Sequence, residues 1–154
     1  MLDEIVIRRA LRSDAADIRR LTREAYAPWV ERVGREPLPM SADYEEAVQK
    51  DLIDLAYTDG ELCALVQMVV EPDCLLIENL AVSPEHQGKR LGSTLVRHAE
   101  SQARALGLST VRLYTNRAFG SNVEFYERHG FRIEREEPFM GGLTIYMRKP
   151  VGEP

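Results

Sequence analysis

Apolar and polar positions change period along the chain often enough to mark out a run of short elements. Residues Ile5 to Leu11 read as a strand. Ser13 then stands as an N-cap, with Asp14 and Asp17 in the first turn, and Ile18, Leu21, Ala25 and Trp29 recur at helical spacing, predicting a helix towards Val30. Gly34, Pro37 and Pro39 end it, and Asp43 to Lys50 predicts a second, shorter helix. Leu52 to Tyr57 and Leu62 to Val70 are strand-like and joined by Thr58-Asp59-Gly60, a hairpin signal. Leu75 to Val82 is the next strand, bounded by Pro72-Asp73 and Ser83-Pro84. From about Arg90 to Leu106 the apolar set Leu91, Leu95, Ala99 and Leu106 returns to helical period, with Gly107 as its stop. Val111 to Thr115 predicts a strand and Asn122 to His129 a helix closed by Gly130. Phe131 to Glu136 with Leu143 to Arg148 form a closing hairpin. The order β-α-α-β-β-β-α-β-α-β-β predicts an α+β fold, with a mixed, mostly antiparallel sheet of about seven strands flanked by about four helices.

With 154 residues, no internal repeat and no linker, residues 1–154 read as a single domain, within the usual range of roughly 100–200. A chain of this size buries about 68–70% of its unfolded surface, so it needs neither disulfides nor a structural metal to hold a core. Its two cysteines, Cys63 and Cys74, each sit in an apolar run and lack metal-ligand spacing, which fits reduced core thiols. Twenty basic against 25 acidic residues leave a net charge of −5, which counts against duplex nucleic acid or an anionic membrane as partner. Met1 to Arg12 alternates apolar residues with charges and offers no signal-peptide core, and no run approaches the ~20 apolar residues of a membrane helix. The expectation is a cytoplasmic protein without membrane association.

The most informative stretch is Leu80-Ala81-Val82-Ser83-Pro84-Glu85-His86-Gln87-Gly88-Lys89-Arg90-Leu91-Gly92-Ser93, a polar, glycine-containing, cationic loop between a buried strand and a long helix. A helix N-terminus leaves N–H groups unpaired and carries about +0.5 of an elementary charge, so such a loop suits a phosphate. Glycines here serve equally well as structural caps. Neither a Walker A motif nor a G-x-G-x-x-G fingerprint is present. The second informative stretch is Asn122-Val123-Glu124-Phe125-Tyr126-Glu127-Arg128-His129-Gly130-Phe131.

Together the two stretches resemble the GNAT superfamily of acyl-CoA-dependent N-acyltransferases. Gln87-Gly88-Lys89-Arg90-Leu91-Gly92 is similar to its Q/R-x-x-G-x-G/A pyrophosphate loop, and Phe125-Tyr126 with Gly130-Phe131 to its F-Y-x-x-x-G-F signature. The resemblance covers about residues 5 to 149. It implies acetyl-CoA as cosubstrate, with no metal. Leu80, Ala81 and Val82 would pair with the pantetheine arm, a backbone N–H near Leu80 would polarise the thioester, and Gln87, Gly88, Lys89, Arg90, Leu91, Gly92 and Ser93 would wrap the pyrophosphate. Tyr126 matches the general acid that protonates the departing thiolate; the plainer alternative is a core aromatic beside Phe125. Two positions depart from the pattern. Arg90 replaces a glycine, which a right-handed helical backbone would tolerate. Phe119 replaces an asparagine, leaving Asn122 or Asn116 to contact pantetheine.

Attack on a thioester needs a neutral amine, so an ammonium must lose a proton. Glu78, within Leu75-Leu76-Ile77-Glu78-Asn79-Leu80, is the candidate base, because a carboxylate in so apolar a strand is costly unless used or paired. A structural ion pair or a hydrogen bond to the backbone is the competing account. The histidines His86, His98 and His129 read as surface residues, and Glu45-Glu46 and Glu134 to Glu137 as solvated acidic faces. By the resemblance the acceptor site is roofed by the first two helices and the closing hairpin. That makes Tyr26, Trp29, Arg32 and Asn79 the acceptor contacts, and Arg32 with Arg35 points to a carboxylate on the acceptor besides its amine. The expected function is acetyl transfer to a primary amine of a small molecule such as an amino acid. The alternatives are acetylation of protein N-termini or lysines, and a non-catalytic acyl-CoA-binding module. Tyr114 stands where members acting on protein α-amines carry an acid, which counts against the first of these. A homodimer is expected only by analogy.

Overall fold

The structure, a computed structural model, describes residues 4–152; Met1 to Asp3 of the amino-terminal stretch and the last two residues lie outside it. Seven strands, β1 (Ile5–Arg9), β2 (Leu52–Thr58), β3 (Glu61–Val70), β4 (Leu75–Val82), β5 (Thr110–Asn116), β6 (Arg132–Phe139) and β7 (Gly142–Pro150), form one sheet in the order β1-β2-β3-β4-β5-β7-β6. All neighbours run antiparallel except β4 and β5. A parallel pair needs a crossover, which the 15-residue helix α4 (Leu91–Ala105) supplies. The predicted hairpin turn between β2 and β3 forms with Asp59 and Gly60 both at positive φ, the conformation that matches strand twist.

Helices cover both faces. On one, α1 (Ala15–Tyr26) and α3 (Tyr44–Lys50) bury Ile18, Leu21, Ala25, Tyr44 and Ala47 against Ile53, Leu55, Leu65 and Ala81. On the other, α4 and α5 (Gly120–Arg128) bury Leu91, Leu95, Val96, Ala99 and Tyr126 against Cys63, Val66, Met68, Leu75 and Ile77. Cys63 and Cys74 are buried and unlinked. Among the described residues no helix is long and apolar enough to cross a membrane.

The first helix is shorter than its periodicity predicts. It stops at Tyr26 because Pro28 has no N–H to continue the ladder and disfavours helical backbone before it. A 3-10 turn at Ala27–Trp29 and a single helical turn, α2 (Val30–Val33), follow, ending at Gly34 with φ +80°. Ser13 does not cap α1. It sits in a 3-10 turn, where Asp14 takes the capping part, accepting from the Leu11 N–H at 2.7 Å and from Arg8. The helix count is thus the expected four plus the one-turn α2.

β4 carries an irregularity with large consequences. Its register against β3 pairs Asn79 with Gln67 but Ile77 with Met68, so Glu78 is an extra residue, a β-bulge. A one-residue shift reverses the alternation of side chains between faces. Leu75 and Ile77 accordingly join the α4 side of the core, whereas Ala81 joins the α1 side.

The histidines are more engaged than the sequence implies. His86 is buried. His129 bonds the Phe125 carbonyl and Ser93 Oγ, both at 2.9 Å, and His98 lies 2.6 Å from Asp54. Asp54 also accepts from Arg9, joining β1, β2 and α4 in one network. Burial alone would raise the Asp54 carboxyl, but the His98 and Arg9 hydrogen bonds outweigh it and hold it below the ordinary carboxylate range. A carboxyl lowered by folding stabilises at pH values above its unfolded pKa of about 3.9, and that contribution fades as pH falls through the folded value. Asp54→Asn is expected to lose about 1.5–3 kcal/mol in urea unfolding at pH 7, with the difference from the parent shrinking towards acid pH.

Candidate active site

The parallel pair β4–β5 is held for only three positions, Leu75–Val111, Leu76–Arg112 and Ile77–Leu113. Beyond them the bulge bends β4 away and a wedge opens between Glu78–Val82 and Tyr114–Asn116. The Ser83 N–H donates to the Cys63 carbonyl on β3 at 2.8 Å. The alternation of an antiparallel ladder therefore points the backbone groups of Ala81 to β3 and those of Leu80 and Val82 into the wedge. Leu80 and Val82 thus offer a strand edge without a strand partner in the interior of a sheet, and the Val82 carbonyl accepts from Gln87 Nε2 at 3.4 Å.

At the end of this edge the chain passes through a 3-10 turn, Pro84–His86, into α4. The N–H groups of Leu91, Gly92 and Ser93 have no backbone acceptor among the described residues, so the N-terminus of α4 keeps its donors for an anion. Gly92 lets α4 and α5 approach closely, since a Cβ there would lie 3.3 Å from the Phe125 ring of α5 and push it by a few tenths of an ångström. Arg90, the residue before the helix, has φ +62° and ψ 21°, a left-handed conformation. This corrects the expectation of right-handed backbone and explains why the superfamily pattern places glycine there. The conformation costs an L-residue about 1–2 kcal/mol.

Two cavities flank the wedge and share Tyr26. One is lined by Leu80, Ala81, Val82, Gln87, Gly92 and Asn122, six of the twelve residues expected to hold the cosubstrate, and by Tyr126; Gly88, Lys89, Arg90, Leu91 and Ser93 do not line it. Here Trp29, expected on the acceptor side, also lies, tilted against Phe119 with ring centres 4.8 Å apart. The other cavity holds Glu78, Asn79, Tyr114, Arg35, Phe119 and Phe139. Asn116, expected near pantetheine, lines this second cavity and turns its Oδ1 to the Ala118 N–H at 2.8 Å. Arg32 lines neither cavity: it is exposed, with its guanidinium 5.0 Å from the Trp29 ring centre. The roof is closed by Arg35, which lies over Phe139 at the tip of the β6–β7 hairpin.

Because of the bulge, consecutive residues Glu78 and Asn79 both reach the second cavity. Asn79 is buried and bonded within the protein: its Oδ1 accepts from Tyr26 Oη at 3.0 Å, and its Nδ2 donates to Tyr44 Oη at 3.3 Å. Tyr44 in turn donates to the Pro39 carbonyl at 2.6 Å, tying the α2–α3 connection to the site. Glu78 accepts from Tyr114 Oη at 2.7 Å and has neither an ion-pair partner nor a backbone donor among the described residues. Burial, reinforced by Glu78, pushes the Tyr114 phenol well above its ordinary value. Tyr126 is pushed up by burial alone, so its phenol holds its proton throughout the neutral range.

Sequence reasoning did not single out Phe139 or the Tyr114–Glu78 hydrogen bond, which only strand order brings together. The acidic face at Glu134 to Glu137 is largely neutralised, since Glu134, Glu136 and Glu137 pair with Arg112, Arg117 and Arg135.

An open strand edge thus leads to a donor-rich helix start beside a tyrosine that holds its proton. The family model described as Acetyltransferase (GNAT) family matches residues 16–131, and the chain belongs to that family. An uncharacterized N-acetyltransferase of Escherichia coli, YjhQ, is 30% identical over 153 residues, covering 92% of this chain and 75% of that protein. The spermidine N(1)-acetyltransferase of Thermoplasma acidophilum is 28% identical over 79 residues, covering 51% of this chain and 49% of that protein. The chain thus spans about half the length of that relative. The crystal structure of PaiA N-acetyltransferase from Thermoplasma acidophilum in complex with coenzyme A shares the fold, with TM-score 0.77 at 20% identity over 96% of this chain and 99% of that one.

Relief of the left-handed strain at residue 90 is testable. Arg90→Gly is expected to raise stability by up to about 1 kcal/mol, after the greater chain entropy of glycine is subtracted, as read from thermal unfolding without ligand.

Proposed function

We propose that the protein is an acetyl-CoA-dependent N-acetyltransferase acting on a primary amine of a small molecule by direct attack. The observation that carries this reading is the placement of Tyr126 and Glu78 in the two different cavities that meet at Tyr26. The pantetheine arm lies along the open edge at Leu80 and Val82, and its pyrophosphate takes the free N–H groups of Leu91 to Ser93, with Lys89 and Arg90 adding charge. In that pose the Leu80 N–H polarises the thioester carbonyl.

The acceptor enters the opposite cavity, and Glu78 takes a proton from its ammonium, directly or through a water. The amine nitrogen forms a bond to the carbonyl carbon and loses its second proton to water, the carbon–sulfur bond breaks, and the phenol of Tyr126 gives its proton to the leaving sulfur and regains one from solvent. Burial suits Tyr126 to this part, because an acid must still carry its proton when the thiolate departs. Tyr114 keeps the Glu78 carboxylate aimed across the wedge.

The test is release of CoA from acetyl-CoA over a panel of amino acids, polyamines, aminoglycosides and peptide N-termini. Tyr126→Phe is expected to lower kcat about 10²–10⁴-fold with little change in KM for acetyl-CoA. Glu78→Gln is expected to lower kcat and remove the acidic limb of the pH–rate profile; an unchanged limb and height would overturn the base assignment. If acetyl-CoA raises thermal stability and no amine is acetylated, the protein is a binding module and the enzymatic reading falls.

A further inference from the structure

We infer that the acceptor carries a carboxylate as well as its amine, and that Arg35 is the residue that binds it. This rests on the acetyltransferase reading above and adds the class of acceptor. The acceptor cavity is lined by one cationic side chain, Arg35, and one anionic side chain, Glu78. The rest of its lining is apolar or neutral, from Val33, Pro37, Leu38 and Phe139 to Gln67 and Thr144. A cavity with one charge of each sign, neither matched by an ion-pair partner, is complementary to a molecule carrying both opposite charges.

Arg35 has unspent binding capacity. Its Nε is buried and has no hydrogen-bond partner. Among the described residues no carboxylate lies within ion-pairing distance of its guanidinium, although Glu36 is its chain neighbour. The Glu36 carboxylate is taken by Arg23, at 2.9 Å and 3.4 Å. What Arg35 receives from Glu36 is only the backbone carbonyl, which accepts from Nη1 at 3.4 Å. Nη2 has no partner among the described residues, and such a free guanidinium N–H is a donor that a carboxylate accepts from. The guanidinium lies over Phe139, whose ring centre is 5.5 Å from Cζ, so that donor is partly preorganised. A buried donor without an acceptor is unfavourable, so a shift of the guanidinium that brings Nε to a ligand oxygen is favoured.

A polyamine fits this cavity less well. A second ammonium would face Arg35, and the acidic residues of β6 that would attract a polycation are neutralised by their own arginines.

The experiment measures kcat/KM with acetyl-CoA for paired acceptors: each amino acid against its carboxamide, a ladder of ω-amino acids, and the diamines of matching length. The parent protein is expected to prefer acid over amide by about 10–100-fold, and Arg35→Gln to abolish that preference through a fall on the acid alone. Arg35→Lys should restore part of it. KM for acetyl-CoA, bound on the other side of Tyr26, should be unchanged in both variants, which also reports that they fold. Equal use of acid and amide, preference for diamines, or a preference that survives Arg35→Gln would overturn the inference while leaving the acetyltransferase reading intact. If acetyl-CoA binds and no amine turns over, the acetyltransferase reading fails first and the inference falls with it.

Discussion

The bulge at Glu78 is the constraint on which the site depends. Without it β4 would alternate regularly and Glu78 and Asn79 would point to opposite faces. Nor would the strand bend away from β5 after Ile77 and Leu113. One extra residue thus does three things: it opens the sheet, it frees the backbone at Leu80 and Val82, and it turns two polar side chains into one cavity. Such an opening leaves unpaired backbone groups inside a sheet, an arrangement that is unfavourable unless water or a ligand completes it. The fold tolerates it because the core on either side is close-packed, with Leu65, Leu75, Leu95 and Leu113 almost wholly inaccessible.

The polar groups of the wedge are not equivalent. Asn79 is locked among Tyr26, Tyr44 and Thr22, with both Nδ2 protons and one Oδ1 lone pair engaged within the protein, and it fixes the wall between the cavities. Glu78 and Arg35 differ in having one hydrogen-bond partner each within the protein and further capacity. Tyr126 is different again, because apolar surroundings alone keep its phenol neutral. Heavily bonded groups shape the site here, and sparsely bonded ones are left to meet ligands.

Much of this was legible in the sequence. The period changes located all seven strands and the four main helices, and Gln87, Gly92 and Tyr126, which two separate motifs single out, line one cavity. Local chemistry carries that information: turns at Asp59-Gly60, a glycine where α4 meets Phe125, apolar stripes on α1 and α4. Contacts that depend on which strands are neighbours were not legible. Arg32 and Arg35 are equivalent in the sequence, and only the αL turn at Gly34 and the position of the β6–β7 hairpin separate the exposed one from the one in the cavity. The bulge also left no mark in composition, because Leu-Leu-Ile-Glu-Asn-Leu reads as an ordinary strand. His86 and His98 looked exposed for a similar reason: their partners lie on elements far away in the chain.

The shared wall at Tyr26 has a consequence for traffic through the molecule. On the proposed reading the carrier and the acceptor would reach the reacting atoms from the two cavities that share Tyr26, so neither would have to leave for the other to arrive. Nothing would then need to be parked on the protein between the two arrivals.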